Sequence, residues 1–522
     1  MNIGSEMQEI SSNNKRIAKN TLLLYFRMLV TMAVSLYTSR VVLNILGVED
    51  FGIYNVVGGI VAMFGFINGS MTSATQRYLT FELGQNNRTQ LTKVFSTSLS
   101  IHAIISFLII VLAETVGLWF LWNKMQIPAD RMNAAFWVFQ CSVAASVIMI
   151  MSVPYNAAII AHERMSAFAY ISIIEVSLKL LIVCFLRYFH TDKLILYAAL
   201  IVIVQLVIRL CYSWYCNRHF KETKYRWIWD KTLFCEMTGF AGWNLFGNLA
   251  AITFTQGLNL LLNMFFGPVV NAARGIAVQA QTAIGQFSSN FQTALNPQIT
   301  KSYATGDMEY MHGLIFRSAK FSFFLLLLLS LPVLIETKAL LTLWLKIVPD
   351  HTVVFLRIML CTTWVYAVSN PLITAASATG KIKLYQSVVG GLLLLILPIS
   401  YLCLRLGLPA YSVFIVHLVI EITAQFARLL MLKRMIKLSL REYFSKVVWC
   451  IFKVTAIALA VPQAVIYCHP QHGVWNLLMV CLVCTLSTSI SIYYFGLTSG
   501  EKTFISSKIS VILARLNPKT KD

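Results

Sequence analysis

Runs of twenty or more apolar residues recur from one end of this 522-residue chain to the other, and no other feature restricts the fold as tightly. Each run is long enough to cross a hydrocarbon core of about 30 Å. Lipid offers a peptide group no hydrogen-bond partner, so a crossing segment must satisfy its own backbone, and for runs of this length that means an α-helix. The side-chain balance agrees: 58% of residues are hydrophobic and 12% charged, the latter about half the share of a soluble domain. The expectation is an all-α polytopic membrane protein. The polar stretch after Met1 lacks the basic, apolar, small-residue order of a secretory signal, so no cleavage is expected.

Fourteen spans are read, at about 21–45, 52–75, 95–122, 133–160, 167–189, 193–215, 238–265, 269–295, 318–344, 353–377, 386–406, 409–432, 447–467 and 475–496. Turns such as Leu46-Gly47-Val48-Glu49-Asp50 and Phe266-Gly267-Pro268 join neighbouring spans into hairpins. Basic residues then set orientation. With the N-terminus inside, cytoplasmic loops and tails hold about 27 of the 42 Lys and Arg residues and the opposite loops about 7. This asymmetry accounts for most of the +21 net charge and places both termini in the cytoplasm. The basic loops are read as topology signals lying against anionic headgroups. No basic patch sits on a soluble module, so nucleic acid is not an expected partner.

Two echoes at nearly one offset indicate a tandem repeat. Ser152-Val153-Pro154 and the small residues after it, up to His162-Glu163-Arg164, return as Ser369-Asn370-Pro371, running to Thr379-Gly380-Lys381. Asn44 to Gly47 returns as Asn263 to Gly267. The chain therefore divides into a cytoplasmic tail (1–20), a first six-helix lobe (21–216), a basic cytoplasmic linker (217–237), a second six-helix lobe (238–432), a basic loop (433–446), two extra C-terminal helices (447–496) and a cytoplasmic tail (497–522). Such duplications build half-bundles around a transport path. The two prolines are expected at equivalent places near the inner ends of spans four and ten. The run Phe321 to Leu329 reads as nearly pure lipid-facing sequence.

Polar side chains inside spans carry the functional information, because a charge at mid-bilayer costs several kcal/mol unless paired or hydrated. In span seven Asn244, Asn248, Thr255, Asn259 and Asn263 share one helix face, and in span eight Arg274, Gln281, Ser288 and Gln292 share another. Span one carries Arg27, Thr31, Ser35 and Thr38, with Arg40 further out, and span two carries Asn55, Asn68, Thr72, Ser73, Thr75 and Gln76. One or two such groups would be ordinary interhelical hydrogen bonds. Stripes of this length on two hairpins, each with an arginine, read as the wall of a hydrated cavity. His417, Glu421, Gln425 and Arg428 line one side of span twelve. They are either an ion-coupling site or a buried Glu421–Arg428 network. Glu175 and Lys179 are spaced to pair with each other. Cys481 and Cys484 are adjacent on an apolar helix and read as packing residues, and His469 and His472 as solvated loop residues.

The stretch Tyr37-Thr38-Ser39-Arg40-Val41-Val42-Leu43-Asn44-Ile45-Leu46-Gly47-Val48-Glu49-Asp50-Phe51-Gly52-Ile53-Tyr54, followed by Gln76-Arg77-Tyr78-Leu79, resembles the multidrug/oligosaccharidyl-lipid/polysaccharide exporter superfamily, and within it the Wzx-type polysaccharide flippases. The resemblance extends over nearly the whole chain. It implies a non-enzymatic carrier in the bacterial inner membrane. Its cargo would be a polyprenyl-pyrophosphate-linked oligosaccharide, moved across the bilayer for surface polysaccharide assembly such as O-antigen, capsule or exopolysaccharide, in the company of other glycan-assembly membrane proteins. Related flippases place cavity arginines on the first, second and eighth helices. Arg27 or Arg40, and Arg274, occupy comparable places, while Arg77 lies at the inner end of the second helix. No cofactor is implied, and no Gly-x-x-x-x-Gly-Lys-Ser/Thr loop for ATP occurs. Two alternatives stay open: a drug or cation antiporter of the MATE type, which would need a carboxylate at the cavity, and a membrane-embedded glycan polymerase, which the short outer loops disfavour.

Overall fold

The computed structural model describes residues 19–35, 37–38, 41–42, 45–47, 50, 53–54, 57, 65–123, 127–186, 188–189, 191–226, 228, 230–345, 348–468 and 474–503. These residues are helical almost throughout and contain no strand. In chain order the helices are α1 (19–35), α2 (Gly65–Gly84), α3 (Arg88–Asn123), α4 (Met132–Ala161), α5 (Met165–Leu186), α6 (Lys193–His219), α7 (Lys231–Gly267) and α8 (268–305). They continue as α9 (Met308–Ile335), α10 (Thr337–Leu345), α11 (Thr352–Ala378), α12 (Lys383–Arg405), α13 (Ser412–Met435), α14 (Leu440–Val465) and α15 (Trp475–Gly496). Eleven of the described helices are long and apolar enough to cross a membrane, so the chain is a polytopic membrane protein. Of the other expected spans, 21–45 and 52–75 include residues outside the description. The third, 269–295, is an unbroken helix rich in Gln, Asn and Ser.

Backbone handedness marks the repeat more sharply than side chains do. Gly47 and Gly267 both have positive φ, +82° and +77°, and each lies at an expected hairpin. Arg274 of α8 reaches Asn259 and the Thr255 carbonyl of α7, so the chain does reverse at Gly267. Asn86 and Gly306, at φ +56° and +78°, end α2 and α8. The next residue in each case caps a helix: Asn87 Oδ1 accepts from Gln90 N–H at 3.1 Å, and Asp307 Oδ1 from Tyr310 N–H at 3.0 Å. Glu163 and Gly380, at +59° and +75°, follow α4 and α11. Pro154 and Pro371 lie inside these two helices, each seven residues before its end.

The described chain forms two compact units. One comprises Met1–Ile252, Thr293–Met311 and Thr374–Gly391; the other comprises Thr253–Gln292, His312–Ile373 and Leu392–Asp522. The first is cored by Ala74, Val94, Phe95, Ala157, Ile159 and their neighbours, from α2, α3 and α4. A cap at one end of it ties three segments together. Arg131 donates to Asp50 at 2.5 Å and to Asp192 at 2.8 Å, and Asp192 caps α6 through the Leu194 and Ile195 amides. Burial works to raise the Asp192 carboxyl, but the Arg131 guanidinium and the two amides outweigh it and hold it below the usual range. The second unit packs α9 against α14 and α15 through Phe323, Phe324, Leu327 and Leu331 on one side and Val454, Ala458, Val480 and Cys484 on the other. This corrects the lipid-facing reading of Phe321 to Leu329. Lipid tails and a helix-packed interior are equally apolar, so hydropathy does not tell them apart. Cys484 is fully buried in this packing.

Candidate functional site

Within the first unit, the Arg27 guanidinium lies 4.5 Å from the centre of the Phe168 ring, a contact that shields a cation in an apolar setting. Asn244 Oδ1 accepts from Gln386 Nε2 at 3.0 Å, and Asn248 Nδ2 donates to Ser70 Oγ at 2.8 Å. Arg40 and Asn55 lie outside the described residues, as do the side chains of Asn68 and Asn263. The same unit holds the expected pair of Lys179 and Glu175 at 2.6 Å, to which Gln205 adds a donor at 3.3 Å.

Within the second unit, Arg274 is 8% exposed. Its Nη1 donates to Asn259 Oδ1 at 3.0 Å and its Nη2 to the Thr255 carbonyl at 2.8 Å. Its Nε is buried without an acceptor among the described residues. Gln281 Nε2 donates to Thr363 Oγ1 at 2.8 Å and to the Met359 carbonyl at 3.2 Å. Gln292 Nε2 donates to the Ala367 carbonyl at 2.9 Å. That carbonyl is the one Pro371, four residues on, leaves without its helical donor. The α8 stripe therefore faces α11 along much of its length.

A second polar group of this unit gathers on α13. Arg428 Nη1 donates to Glu421 Oε1 at 2.7 Å, with side-chain exposures of 3% and 5%, and to Ser369 Oγ at 3.1 Å. Ser369 also bonds Gln425, which donates to the Tyr443 hydroxyl at 3.2 Å. Ionic groups so deeply buried persist only when paired and hydrogen-bonded. His417 packs on Phe254, ring centres 4.8 Å apart, which sets the α13 stripe against α7, the helix that carries Thr255 and Asn259.

Three members of the polar framework escape a reading by stripes. Glu163, Gln298 and Lys301 meet in the first unit: Glu163 accepts from Gln298 Nε2 at 2.5 Å and from Lys301 Nζ at 2.6 Å. Helix periodicity could not find this contact, because Glu163 sits in a turn. Its positive φ, unusual for a non-glycine residue, has a sequence signal only through its repeat partner, Gly380. Among the described residues, no cluster of three or more His, Cys, Asp or Glu side chains could hold a metal ion.

No protein-family model matches the sequence, and no curated protein does. Solved structures do match in fold. An outward-facing multidrug resistance MATE family transporter of the MOP superfamily is 13% identical, with a TM-score of 0.70 over 81% of this chain and 96% of that one. The Vibrio cholerae MATE transporter VcmN in its bent form is 17% identical, with a TM-score of 0.67 over 82% and 98%. A MATE structure in the bent conformation is 12% identical, with a TM-score of 0.72 over 85% and 97%. At such identities the likeness is one of fold.

Proposed function

We propose that the protein is a secondary transporter of the MATE type, moving an amphipathic organic solute across the bilayer by opening a polar-walled cavity to each side in turn. What supports this reading is the fold correspondence with MATE transporters over more than four-fifths of the chain. The His417, Glu421 and Arg428 group is the candidate for ion coupling. The test is transport in vesicles holding the purified protein. A fluorescent cationic dye should move uphill when a proton or sodium gradient is imposed and stop when an ionophore collapses it. Correctly inserted protein that moves no dye under either gradient overturns the reading.

A second reading, lipid-linked oligosaccharide translocation, is favoured by two observations. Three carboxylates set among the helices, Glu163, Glu175 and Glu421, each already hold a cationic partner, which leaves none of these three open to a substrate cation. Arg274 keeps a buried Nε without an acceptor among the described residues, a donor suited to a phosphate oxygen. In this reading Arg274 holds the pyrophosphate, Asn259 and Gln281 of the same unit bond sugar hydroxyls, and the polyprenyl tail stays in lipid. Deletion should then cause lipid-linked glycan intermediates to accumulate, and Arg274→Ala should reproduce that accumulation with the protein present at normal levels. A deletion strain with unchanged glycan lipids rules this reading out.

A further inference from the structure

The turns that close α4 and α11 occupy equivalent places in the repeat, and both lie in the first compact unit. Each is engaged by a helix from the other repeat. The first turn presents Glu163, whose side chain is 1% exposed, to Gln298 and Lys301 on α8. The backbone carbonyl of the same residue accepts from Asn20 of α1 at 3.1 Å. The second turn is engaged from α2. Arg77 Nη2 donates to the Ala378 carbonyl at 3.0 Å, and its guanidinium packs on the Tyr78, Phe81 and Phe240 rings at 4.5, 5.0 and 5.6 Å. Gly380 leaves room for it: a Cβ there would stand 2.6 Å from Arg77 Nη2.

Between these contacts α2 and α8, themselves equivalent in the repeat, meet at close range. A Cβ on Gly84 would stand 2.7 Å from Ala304 Cβ and 3.1 Å from the Lys301 carbonyl. Gln85 donates to the Ala304 carbonyl, and the Phe81 and Tyr303 rings lie 6.4 Å apart. Thr374 Oγ1 and Asn296 Oδ1 are 3.0 Å apart nearby. Polar and close-packed contacts thus converge on one end of the unit, where α2 runs into the turn before α3.

We infer that these crossed contacts form a two-part gate: the Glu163 turn latched onto α8, and Arg77 of α2 latched onto the Gly380 turn, together closing one end of the transport path between the two repeats. The inference rests on the transport reading. Its chemistry suits a latch that reopens. Each half ends on a long cation, and Lys301, 25% exposed, reaches water while its partner does not. Releasing Lys301 takes a cation from a carboxylate that is 1% exposed, a cost that falls if the turn moves out with it. Release of one half favours release of the other, because α8 of the first half and α2 of the second pack against each other at Gly84 and Ala304.

Hydrogen exchange of the full-length protein in lipid nanodiscs, without substrate, tests this. Lys301→Glu sets a second carboxylate against Glu163 and should raise exchange at residues 298–305 and 162–165 by about tenfold. Adding Glu163→Gln removes the repulsion and should restore protection. Arg77→Gln should loosen residues 378–382 and, because the halves act together, also 298–305. Should Lys301→Glu not accumulate, Lys301→Gln is read in the same way. Unchanged exchange in folded Lys301 variants overturns the gate. So does loosening that Glu163→Gln fails to reverse, or loosening by Arg77→Gln confined to its own turn. Because exchange needs no substrate, a gate that responds in a protein moving neither dye nor glycan sinks the transport reading alone. Normal transport with unmoved exchange sinks the gate alone.

Discussion

The turn after α4 and the turn after α11 solve one problem with different residues. Each must reverse the chain through a left-handed residue just beyond a proline-bearing helix. The second uses Gly380, for which positive φ carries no steric penalty. The first uses Glu163, for which that conformation costs about 1 kcal/mol, and gains a carboxylate in return. At the first turn the turn itself supplies the anion and α8 the cation. At the second the turn supplies only a backbone carbonyl, and α2 supplies the arginine. The two turns share a left-handed residue and a cationic helix partner and differ in the acceptor. In such a repeat, geometry outlives chemistry.

The largest expected effect separates the two sides of the first latch. Lys301→Met takes the lysine from a carboxylate whose side chain is 1% exposed and should cost about 3 kcal/mol, in the range for breaking a buried pair from one side. Glu163→Ala leaves a lysine that is already part exposed and can hydrate, so it should cost about 1 kcal/mol. Thermal unfolding of the two variants, compared at one detergent and salt condition, checks the order. Equal losses would mean that the carboxylate is less buried in solution than its 1% exposure implies.

The second latch should lose less. Gly380→Ala forces a side chain into the left-handed region and pushes Arg77 off the Ala378 carbonyl, at about 1–2 kcal/mol in total. Because the displaced atom is the tip of a flexible side chain, the helices themselves need not move. Arg77→Lys, which keeps charge but loses the planar fork, should weaken the contact without straining the turn. If Gly380→Ala destabilises more than Lys301→Met, the ranking of the two latches is reversed.

The helices leading into the turns offer a finer comparison. Pro371 removes the amide that would bond the Ala367 carbonyl, and Gln292 supplies a donor in its place at 2.9 Å. Near Pro154 a donor comes from the α6 side, where Arg209 bonds the Met151 carbonyl. Gln292→Ala should cost about 1 kcal/mol in the native protein. In a Pro371→Ala background the helix regains the missing amide, which can bond that carbonyl itself, and Gln292→Ala should cost almost nothing. A double-mutant cycle on thermal stability reads the coupling, and additive effects would disprove the substitution of one donor for the other.

Much of this frame is legible from residue order. Long apolar runs dictate helices, and the Pro154 and Pro371 echoes locate two equivalent helix ends. Gly267 announces one of the reversals. The Glu175–Lys179 and Glu421–Arg428 pairs follow from helical spacing, because both partners lie on one helix. The contacts that define the crossed ends do not follow, since Glu163 and Lys301 are 138 residues apart and no periodicity links a turn to a distant helix. The same holds for Asp50. It lies in the stretch that carries the family resemblance, yet its partner Arg131 is a loop residue that sequence alone counts only as a charge. The polar stripe of α8 is visible as a stripe, but whether Gln281 and Gln292 face a cavity or α11 depends on packing, which the sequence does not encode locally.

The smallest effect concerns the outer flank of the first turn. His162, beside Glu163, stacks on Phe220 with ring centres 3.9 Å apart, and its Nε2 lies 2.5 Å from Glu222 Oε1 in the linker after α6. Burial works to raise the Glu222 carboxyl, yet the hydrogen bond to His162, a backbone amide bond and the charges of His162 and Arg88 together outweigh it and hold the group below its usual value. A carboxyl whose folded pKa lies below its unfolded one stabilises the fold fully above about pH 4.3, the ordinary value for Glu. That contribution is lost as pH falls through the depressed value. Protection against hydrogen exchange at residues 219–224, taken relative to the intrinsic rate at each pH, should therefore fall on acidification below about pH 4. His162→Phe keeps an aromatic ring against Phe220 and removes the bond, so it should abolish that acid dependence while leaving protection at neutral pH only slightly reduced. The second turn has Thr379 and Lys381 in place of His162 and Arg164, with no carboxylate among these flanking residues to lose. Protection at residues 378–382, on the same relative scale, should stay flat over that range. Acid-sensitive exchange at the second turn, or its persistence at the first turn in His162→Phe, would show that the pH response arises elsewhere in the unit rather than from this pair.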